Sequence, residues 1–314
     1  MTASHDSVDI LILGAGLTGL VAARQLHQAG YRVRLLDKGF HPGGRMASRS
    51  IGTGAADHGA QVLTLRDPEM QAWCRPWITN GQLIEWWPNH YRPQGSFRAW
   101  SLGLADGLTV HTQITVSQLT ANSNGWNVTT REQGTFSASS VVLTFPLPQA
   151  LQLLDQSGIA LPESQAEFRT IAYSPCFVLV AELAGPSNIA APGKLESVSP
   201  AIAWIADHHQ KGISPESVSV AIQATADWSR ANYDVPEADN IAALLADAAP
   251  YLGSPITATS LKRWRYAFPT SQANAPVVTV CESPRLILAG DAFGGPNLEG
   301  AIRSGLAAAT LLQS

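Results

Sequence analysis

Residues 8–13, Val-Asp-Ile-Leu-Ile-Leu, run straight into Gly14-Ala-Gly16-Leu17-Thr18-Gly19. Apolar residues at helical spacing follow (Leu20, Ala22, Ala23, Leu26) as far as Gly30, and then Arg-Val-Arg-Leu-Leu ends on Asp37. Gly-x-Gly-x-x-Gly alone is a weak signal. Here a buried strand precedes it, a helix follows it and an acid closes the next strand, which together specify a βαβ unit that binds a dinucleotide. Gly14 then makes the tight turn. Gly16 admits a pyrophosphate to the N–H groups at the helix start, with Leu17 and Thr18 beside it, and Gly19 lets the helix pack closely on the strand. Asp37 is placed to accept hydrogen bonds from the two hydroxyls of an adenosine ribose, and Lys38 flanks it as a further cofactor contact.

A short spacer after Asp37 leads to Gly43-Gly44-Arg45-Met46. An acid followed at this interval by Gly-Gly-Arg resembles the signature of the amine oxidase, protoporphyrinogen oxidase and carotenoid desaturase superfamily of flavoproteins. The resemblance implies FAD as the cofactor, with Gly44 letting the chain run along it and Arg45 supporting its phosphate and ribityl region. A guanidinium fork suits that task. Met46 counts as a cofactor contact on the same ground.

The 314 residues are 45% hydrophobic and 14% charged, which suits a globular protein with a sizeable core in two domains or one large one. A formal charge of −4 with no basic run argues against nucleic acid and anionic membrane as partners. Cys74, Cys176 and Cys281 are isolated, so neither a disulfide framework nor a metal site is indicated, and a reducing cytoplasm fits. The amino terminus lacks the basic region and apolar core of a signal peptide, so the chain reads as mature and soluble.

In chain order, Gly52 to Gln61 brings small residues and Asp57 to where, as the resemblance implies, the superfamily's chain passes the flavin. His58 reads as a satisfied loop histidine beside the cofactor rather than a base, and Gln61 as a flavin or substrate contact. Residues 67–80 read as an amphipathic helix, and Trp86, Trp87 and Tyr91 as an aromatic cluster, either core or pocket wall. Alternating runs from Leu108 to Phe145 predict an antiparallel meander returning to a parallel strand, and residues 149–156 a helix. Residues 159–283 alternate strand patterns with one clear helix at 237–249, which predicts an α+β domain on an antiparallel sheet. His208-His209 falls in a polar loop and reads as solvent-facing. The carboxyl end repeats the opening logic: Arg285-Leu-Ile-Leu-Ala, then Gly290-Asp291, then a closing helix starting at Leu298-Glu299-Gly300-Ala301.

With these pieces in order, the chain resembles bacterial renalase-like flavoproteins from end to end. The resemblance rests on Gly43-Gly44-Arg45-Met46, Asp57-x-Gly59-Ala60-Gln61, Pro93-Gln94-Gly95, Asp227-Trp228-Ser229-Arg230, Arg263-Trp264 with Tyr266-Ala267, and Gly290-Asp291 with Glu299-Gly300-Ala301. It departs at Val62-Leu63 and Ala292-Phe293, where relatives carry aromatic residues, which bears on substrate identity and not on FAD. It implies an α/β protein of the p-hydroxybenzoate hydroxylase-like two-domain kind: a Rossmann-like FAD-binding domain of residues 1–64, 98–158 and 284–314, and a substrate domain of 65–97 and 159–283. Gly290, Asp291, Gly300 and Ala301 would meet the flavin's ribityl and phosphate part, the closing helix would aim its N-terminus at the pyrimidine end of the ring, and Val116 would touch the adenine through its backbone.

The implied activity is oxidation of 2- and 6-dihydro isomers of NAD(P), by hydride transfer to non-covalent FAD, with dioxygen as acceptor and hydrogen peroxide as product. A dihydropyridine needs no strong base, only its donor carbon held about 3–3.5 Å from flavin N5. Trp264 and Tyr266 then serve as walls for the ring, with Gln61 and Glu299 as polar contacts. Core packing is the competing explanation for the two aromatics, since alternate strand positions share a face. Two other functions stand beside this one: an amine oxidase or polyene desaturase-type enzyme, and a flavin-binding module without turnover.

Overall fold

The glycine turn sits between β1 (Val8–Leu13) and α1 (Leu17–Gln28) in the computed structural model, which describes residues 7–314. β1 is flanked in parallel by β2 (Val33–Leu36), with Ile12 opposite Leu35. A strand hydrogen-bonded on both sides and covered on both faces reads as a near-continuous apolar run, which is why Ile10 to Leu13 are all buried. A hairpin follows, β3 (Ser48–Ile51) and β4 (Gly54–Asp57). Next come β5 (Leu63–Thr64), α2 (Pro68–Thr79), β6 (Leu83–Trp87) and β7 (His90–Pro93), the strands forming a small sheet in the order β5-β7-β6. The start of α2 is set by Asp67, which accepts the Glu69 N–H at 2.9 Å, and by Pro68 in the first turn.

Helix α3 (Phe97–Ala105) leads to β8 (Thr109–His111), β9 (Val116–Asn122), β10 (Gly125–Thr130) and β11 (Thr135–Leu143). β9, β10 and β11 form the expected antiparallel meander, and β11 returns parallel to β1. After α4 (Leu147–Gln156) and a 3-10 helix at Glu163–Thr170 come β12 (Tyr173–Leu183), β13 (Lys194–Glu196), β14 (Ile202–Asp207), β15 (Val218–Ala224), α5 (Ala226–Ala231), α6 (Glu237–Leu252) and β16 (Ile256–Pro269). The chain closes with β17 (Val277–Glu282), β18 (Arg285–Ala289), α7 (Asp291–Gly294) and α8 (Leu298–Gln313).

The chain divides into two compact units. The first comprises the described residues up to Gly44, Ser101–Ala172 and Pro269–Ser314; the second comprises Arg45–Trp100 and Tyr173–Phe268. In the first, an eight-stranded sheet runs β17-β18-β11-β1-β2-β8, with β10 and β9 continuing from β11. Strands β18, β11, β1, β2 and β8 pair in parallel, whereas β17 joins β18, and β10 and β9 follow β11, in antiparallel pairing. In the second, a five-stranded sheet runs β13-β14-β15-β12-β16, antiparallel between β13, β14, β15 and β12. Leu244, Ala248 and Leu252 of α6 pack into its core with Phe177, Leu179, Ile205 and Ile222. The α/β class, the Rossmann-like unit and the antiparallel second sheet are those the sequence implies.

The units are bounded differently from the domains drawn on the sequence, for identifiable reasons. Residues 45–64 go with the second unit because β3–β4 is pinned there: Ser219 Oγ donates to the Ala55 carbonyl at 2.8 Å and Ala55 N–H to Ser214 Oγ at 3.2 Å. Residues 159–172 and 269–283 go with the first. Gln165 Nε2 donates to the Thr279 carbonyl at 2.7 Å, Phe168 meets Phe293 edge-on at 5.5 Å, and β17 pairs antiparallel with β18. Among the described residues no helix is long and apolar enough to cross a membrane.

Candidate functional site

In the first unit the glycine turn is built by contacts too close for side chains. A Cβ on Gly19 would lie 2.0 Å from the Gly14 carbonyl oxygen, and one on Gly14, whose φ is +110°, would lie 2.7 Å from Thr144 Oγ1. Thr144, the residue after β11, donates its hydroxyl to the Gly14 carbonyl at 2.9 Å, which ties the turn to the sheet. Gly16 differs, because a Cβ there would meet nothing within 4 Å. It is the N-cap of α1 and provides no side-chain cap, so the N–H groups at Leu17 and Thr18 begin the helix with no side chain laid across them. That open ground at a positive helix end is what a diphosphate requires.

Asp37 sits beside it. One of its carboxylate oxygens accepts the Ala15 N–H at 2.6 Å and the other accepts the Gly39 N–H at 2.7 Å, so the acid braces the turn. Lys38 alongside is exposed. Gly43 and Gly44, at φ +120° and +54°, run past the turn: Gly43 N–H donates to the Ala15 carbonyl at 2.7 Å, and a Cβ on Gly44 would lie 3.2 Å from Gly16 Cα. Two glycines are needed here for the chain's own packing before any cofactor is considered.

The second glycine region packs against the first. Thr18 Oγ1 donates to the Ala301 carbonyl at 3.0 Å, and a Cβ on Gly305 would lie 2.6 Å from the Thr18 carbonyl, so α8 lies tightly on α1. Gly300 is equally confined, since its Cβ would fall 2.3 Å from the Gly295 carbonyl. Gly290, at φ +141°, donates its N–H to Ser304 Oγ at 2.7 Å, and Asp291 begins α7, buried. The N-terminus of α8 is less open than that of α1. Asn297 caps it by accepting the Gly300 N–H at 2.8 Å, and Glu299 occupies the first turn, buried, with Arg303 at 3.8 Å. Val116 begins β9 opposite Thr130, half-buried.

In the second unit the segment 57–61 lies along 45–48. His58 N–H donates to the Ala47 carbonyl at 3.0 Å, Ala60 N–H to the Arg45 carbonyl at 2.9 Å, and a Cβ on Gly59 would lie 1.9 Å from that same carbonyl oxygen. Met46 is buried. Arg45 itself reaches β16, donating to the Ala267 carbonyl at 2.8 Å, with its guanidinium 6.0 Å from the Tyr173 ring centre. Gln61 is buried. Its Nε2 donates to the Asp57 carbonyl at 2.9 Å and to the Gly59 carbonyl at 3.2 Å, while its Oε1 has no partner among the described residues. A buried acceptor without a donor marks a place where a ligand N–H or O–H would be stabilised.

Trp264 and Tyr266 share a face of β16, both half-buried. The Trp264 indole N–H donates to the His58 carbonyl at 2.6 Å and its ring stacks on the His58 ring, with centroids 5.8 Å apart and planes 15° apart. Trp264 also packs against Cys176, Val178, Ala221 and Ala267, so the core reading holds for one side of it. Tyr266 meets Tyr173 edge-on at 6.0 Å. Burial, reinforced by Lys262, Arg49 and Arg98, pushes the His58 imidazole down to about 4, so it stands neutral at physiological pH and its Nδ1 has no partner among the described residues.

His208 is a correction to the sequence reading. It is fully buried rather than solvent-facing, and its Nε2 accepts the Asp57 N–H at 3.1 Å, while His209 is exposed. Sequence reasoning also missed Lys211, whose ammonium lies fully buried 2.9 Å from Asp57. Asp57 further accepts from Ser48 Oγ at 2.5 Å and the Phe97 N–H at 3.1 Å. These bonds fix the residue from which the His58 to Gln61 segment starts. No local signal marks Lys211 in the sequence.

A parallel sheet with a glycine turn open at one helix end defines a dinucleotide-binding unit of the Rossmann kind, which this chain carries together with a unit built on an antiparallel sheet. Residues 12–77 match the NAD(P)-binding Rossmann-like domain model, and residues 77–313 match the model of the flavin containing amine oxidoreductases. The chain belongs to the flavin containing amine oxidoreductase family. It is 28% identical to renalase of Mus musculus over 97% of this chain and 98% of that one. Over 19% of its length it is 45% identical to lysine-specific histone demethylase 1 homolog 1 of Arabidopsis thaliana, covering 8% of that protein. The structure of wild-type putrescine oxidase bound to putrescine superposes with a TM-score of 0.72 at 14% identity, covering 99% of this chain and 100% of that one, which shows the shared fold. The protein is a renalase-like FAD-dependent oxidoreductase, and the open Gly16 turn fits the diphosphate of that cofactor.

Proposed function

We propose that this enzyme oxidises 2- and 6-dihydro isomers of NAD(P), with dioxygen as the final acceptor. FAD, when bound, supplies the hydride acceptor and the site of dioxygen reduction. The observation that carries the reading is the flat wall of the second unit, where Trp264 is locked by its bond to the His58 carbonyl and His58 is kept neutral. Such a wall orients a planar ring by stacking and offers only a weak base, an imidazole that takes up a proton near 4, and a dihydropyridine needs no stronger one because its product is aromatic. Gln61 Oε1 is the acceptor to which a carboxamide N–H of the ring would donate. Tyr266 extends the wall along the strand. In the first unit, Gly14, Gly16, Gly19 and Asp37 hold the cofactor's diphosphate and ribose, with Glu299, Gly300, Ala301, Gly290 and Asp291 contributing from the region packed on α1. Cys74, Cys176 and Cys281, none of them in a disulfide, support a cytoplasmic setting.

Amine oxidation, the chemistry in the family's description, is the alternative. The two separate in one experiment: anaerobic mixing of the holoenzyme with 2-dihydro-, 6-dihydro- and ordinary 4-dihydro-NAD(P). Rapid bleaching of the flavin by either of the first two and not by the third is expected. Inertness to all three together with bleaching by an amine would replace this reading with the alternative.

Asp37→Ala is expected to weaken FAD binding by about 1–3 kcal/mol, because it removes a charged acceptor from the ribose and leaves the Ala15 N–H without its partner. Fluorescence titration of apoprotein with FAD measures this, and unchanged affinity would mean that the ribose is held elsewhere.

A further inference from the structure

Resting on the dihydronicotinamide reading, we propose that Arg49, Lys262 and Arg98 of the second unit form the site that takes the phosphate of the substrate nucleotide, with Lys262 and Arg49 as its principal donors. The arrangement is built from three elements. Lys262 lies on the face of β16 that carries Ser260, Trp264 and Tyr266, and its ammonium is 4.9 Å from the Trp264 ring centre. Arg49, exposed on β3, donates from its guanidinium to Ser260 Oγ, which lays it alongside the same face. Arg98, at the start of α3, is tethered next to Arg49, because its backbone N–H donates to Ser48 Oγ at 3.2 Å. All three act on the buried His58 ring, which places them around the stacked pair of His58 and Trp264.

Charge on this face is unbalanced in a chain whose acidic residues outnumber its basic ones, 24 to 20. On the opposite face of β16, Arg263 has Glu237 at 3.8 Å. Neither Arg49 nor Lys262 has a carboxylate within ion-pair distance among the described residues. Neighbouring cations raise each other's energy, and an anion relieves that cost. Guanidinium forks and an ammonium suit phosphate. Same-face residues on a strand are about 6.8 Å apart, the scale of the ribose that separates a nicotinamide ring from its 5′-phosphate. The Lys262 ammonium, 4.9 Å from the Trp264 ring centre, is then within reach of the 5′-phosphate of a nucleotide whose ring lies along this face. A cationic amine would meet repulsion at the same place.

The test has two arms on the holoenzyme, whose own cofactor blocks the dinucleotide turn. In the first, inorganic pyrophosphate binding is followed by calorimetry in wild type, Lys262→Gln, Arg49→Gln and the double variant, with Arg263→Gln as the control. Binding to wild type and to the control, with a loss of about tenfold or more in the double variant, is expected. In the second, kcat/KM is compared for the 6-dihydro isomers of nicotinamide riboside and nicotinamide mononucleotide. Wild type is expected to prefer the phosphorylated form by about tenfold, and the double variant to lose that preference. Pyrophosphate affinity unchanged in the double variant, or a wild-type enzyme equally efficient on both, overturns the site. Loss of pyrophosphate binding in the double variant with neither isomer oxidised by wild type sustains the anion site and defeats the dihydronicotinamide reading.

Discussion

Lys211→Met is expected to lower the unfolding free energy by about 3–5 kcal/mol, read from chemical denaturation of the holoenzyme at neutral pH. The ammonium and the Asp57 carboxylate are both fully buried, 2.9 Å apart, so removing the cation leaves a carboxylate with no counter-charge in a dry interior. The two ends of the pair are not equivalent. Burial pushes the Lys211 pKa down, so a Lys211 deprived of Asp57 relieves its own charge by releasing a proton. Asp57→Asn is therefore expected to cost less than Lys211→Met, and its cost to shrink as pH rises toward 10. There the unfolded chain gives up the lysine proton as well, so the folded state no longer pays for neutralising it alone. The double variant is expected to recover part of the loss, as replaced buried ion pairs do. Equal stability of Lys211→Met and wild type would show that the pair contributes nothing to the fold.

That pair also marks the limit of what the sequence makes legible. The Gly14 to Gly19 turn, Asp37 and the Gly43-Gly44 run were visible because each is dictated by backbone geometry over a few residues, and crowding at Gly14 and Gly19 leaves no other residue type possible. Helix α2 was equally local, set by its Asp67 cap and Pro68. Asp57 was noticed within its motif, but its partners Lys211 and His208 arrive from a distant loop that reads as polar and exposed. Only the tertiary pairing buries them. The same holds for residues 269–283: a short apolar run does not say which sheet it will join, and β17 joins β18 through register, not composition. Trp264 and Tyr266 are picked out by the family resemblance, and their alternation says only that they share a face. What the pattern could not give is that Trp264 is held at both ring and N–H by His58, or that Lys262 continues the same face.

Acid is expected to destabilise this protein well above the pH at which carboxylates titrate. The unfolded chain protonates its histidines near 6.5, whereas the folded chain takes up the His58 proton only near 4. Between those values the unfolded state binds more protons, so stability falls as pH falls, by up to about 1.4 kcal/mol per pH unit for that one group and on the order of 3 kcal/mol across the window. His208 adds a loss of the same sign, because burial pushes its pKa well below the ordinary value and its Nε2 is committed to the Asp57 N–H. Carboxylates whose pKa is lowered, such as Glu182 held by the Thr53 N–H and the Thr257 hydroxyl, contribute their losses only below the ordinary value of 4.5. The interval from pH 6.5 to 5 thus isolates the histidines. His58→Phe keeps a ring against Trp264 and cannot titrate, so its stability is expected to fall less steeply over that interval than wild type, and His208→Gln to reduce the slope again while retaining an acceptor for Asp57. Denaturation midpoints measured across the interval decide the matter: a wild-type stability that is flat from pH 6.5 to 5, or a slope unchanged in His58→Phe, would show that the imidazole beside Trp264 is not held neutral by the fold.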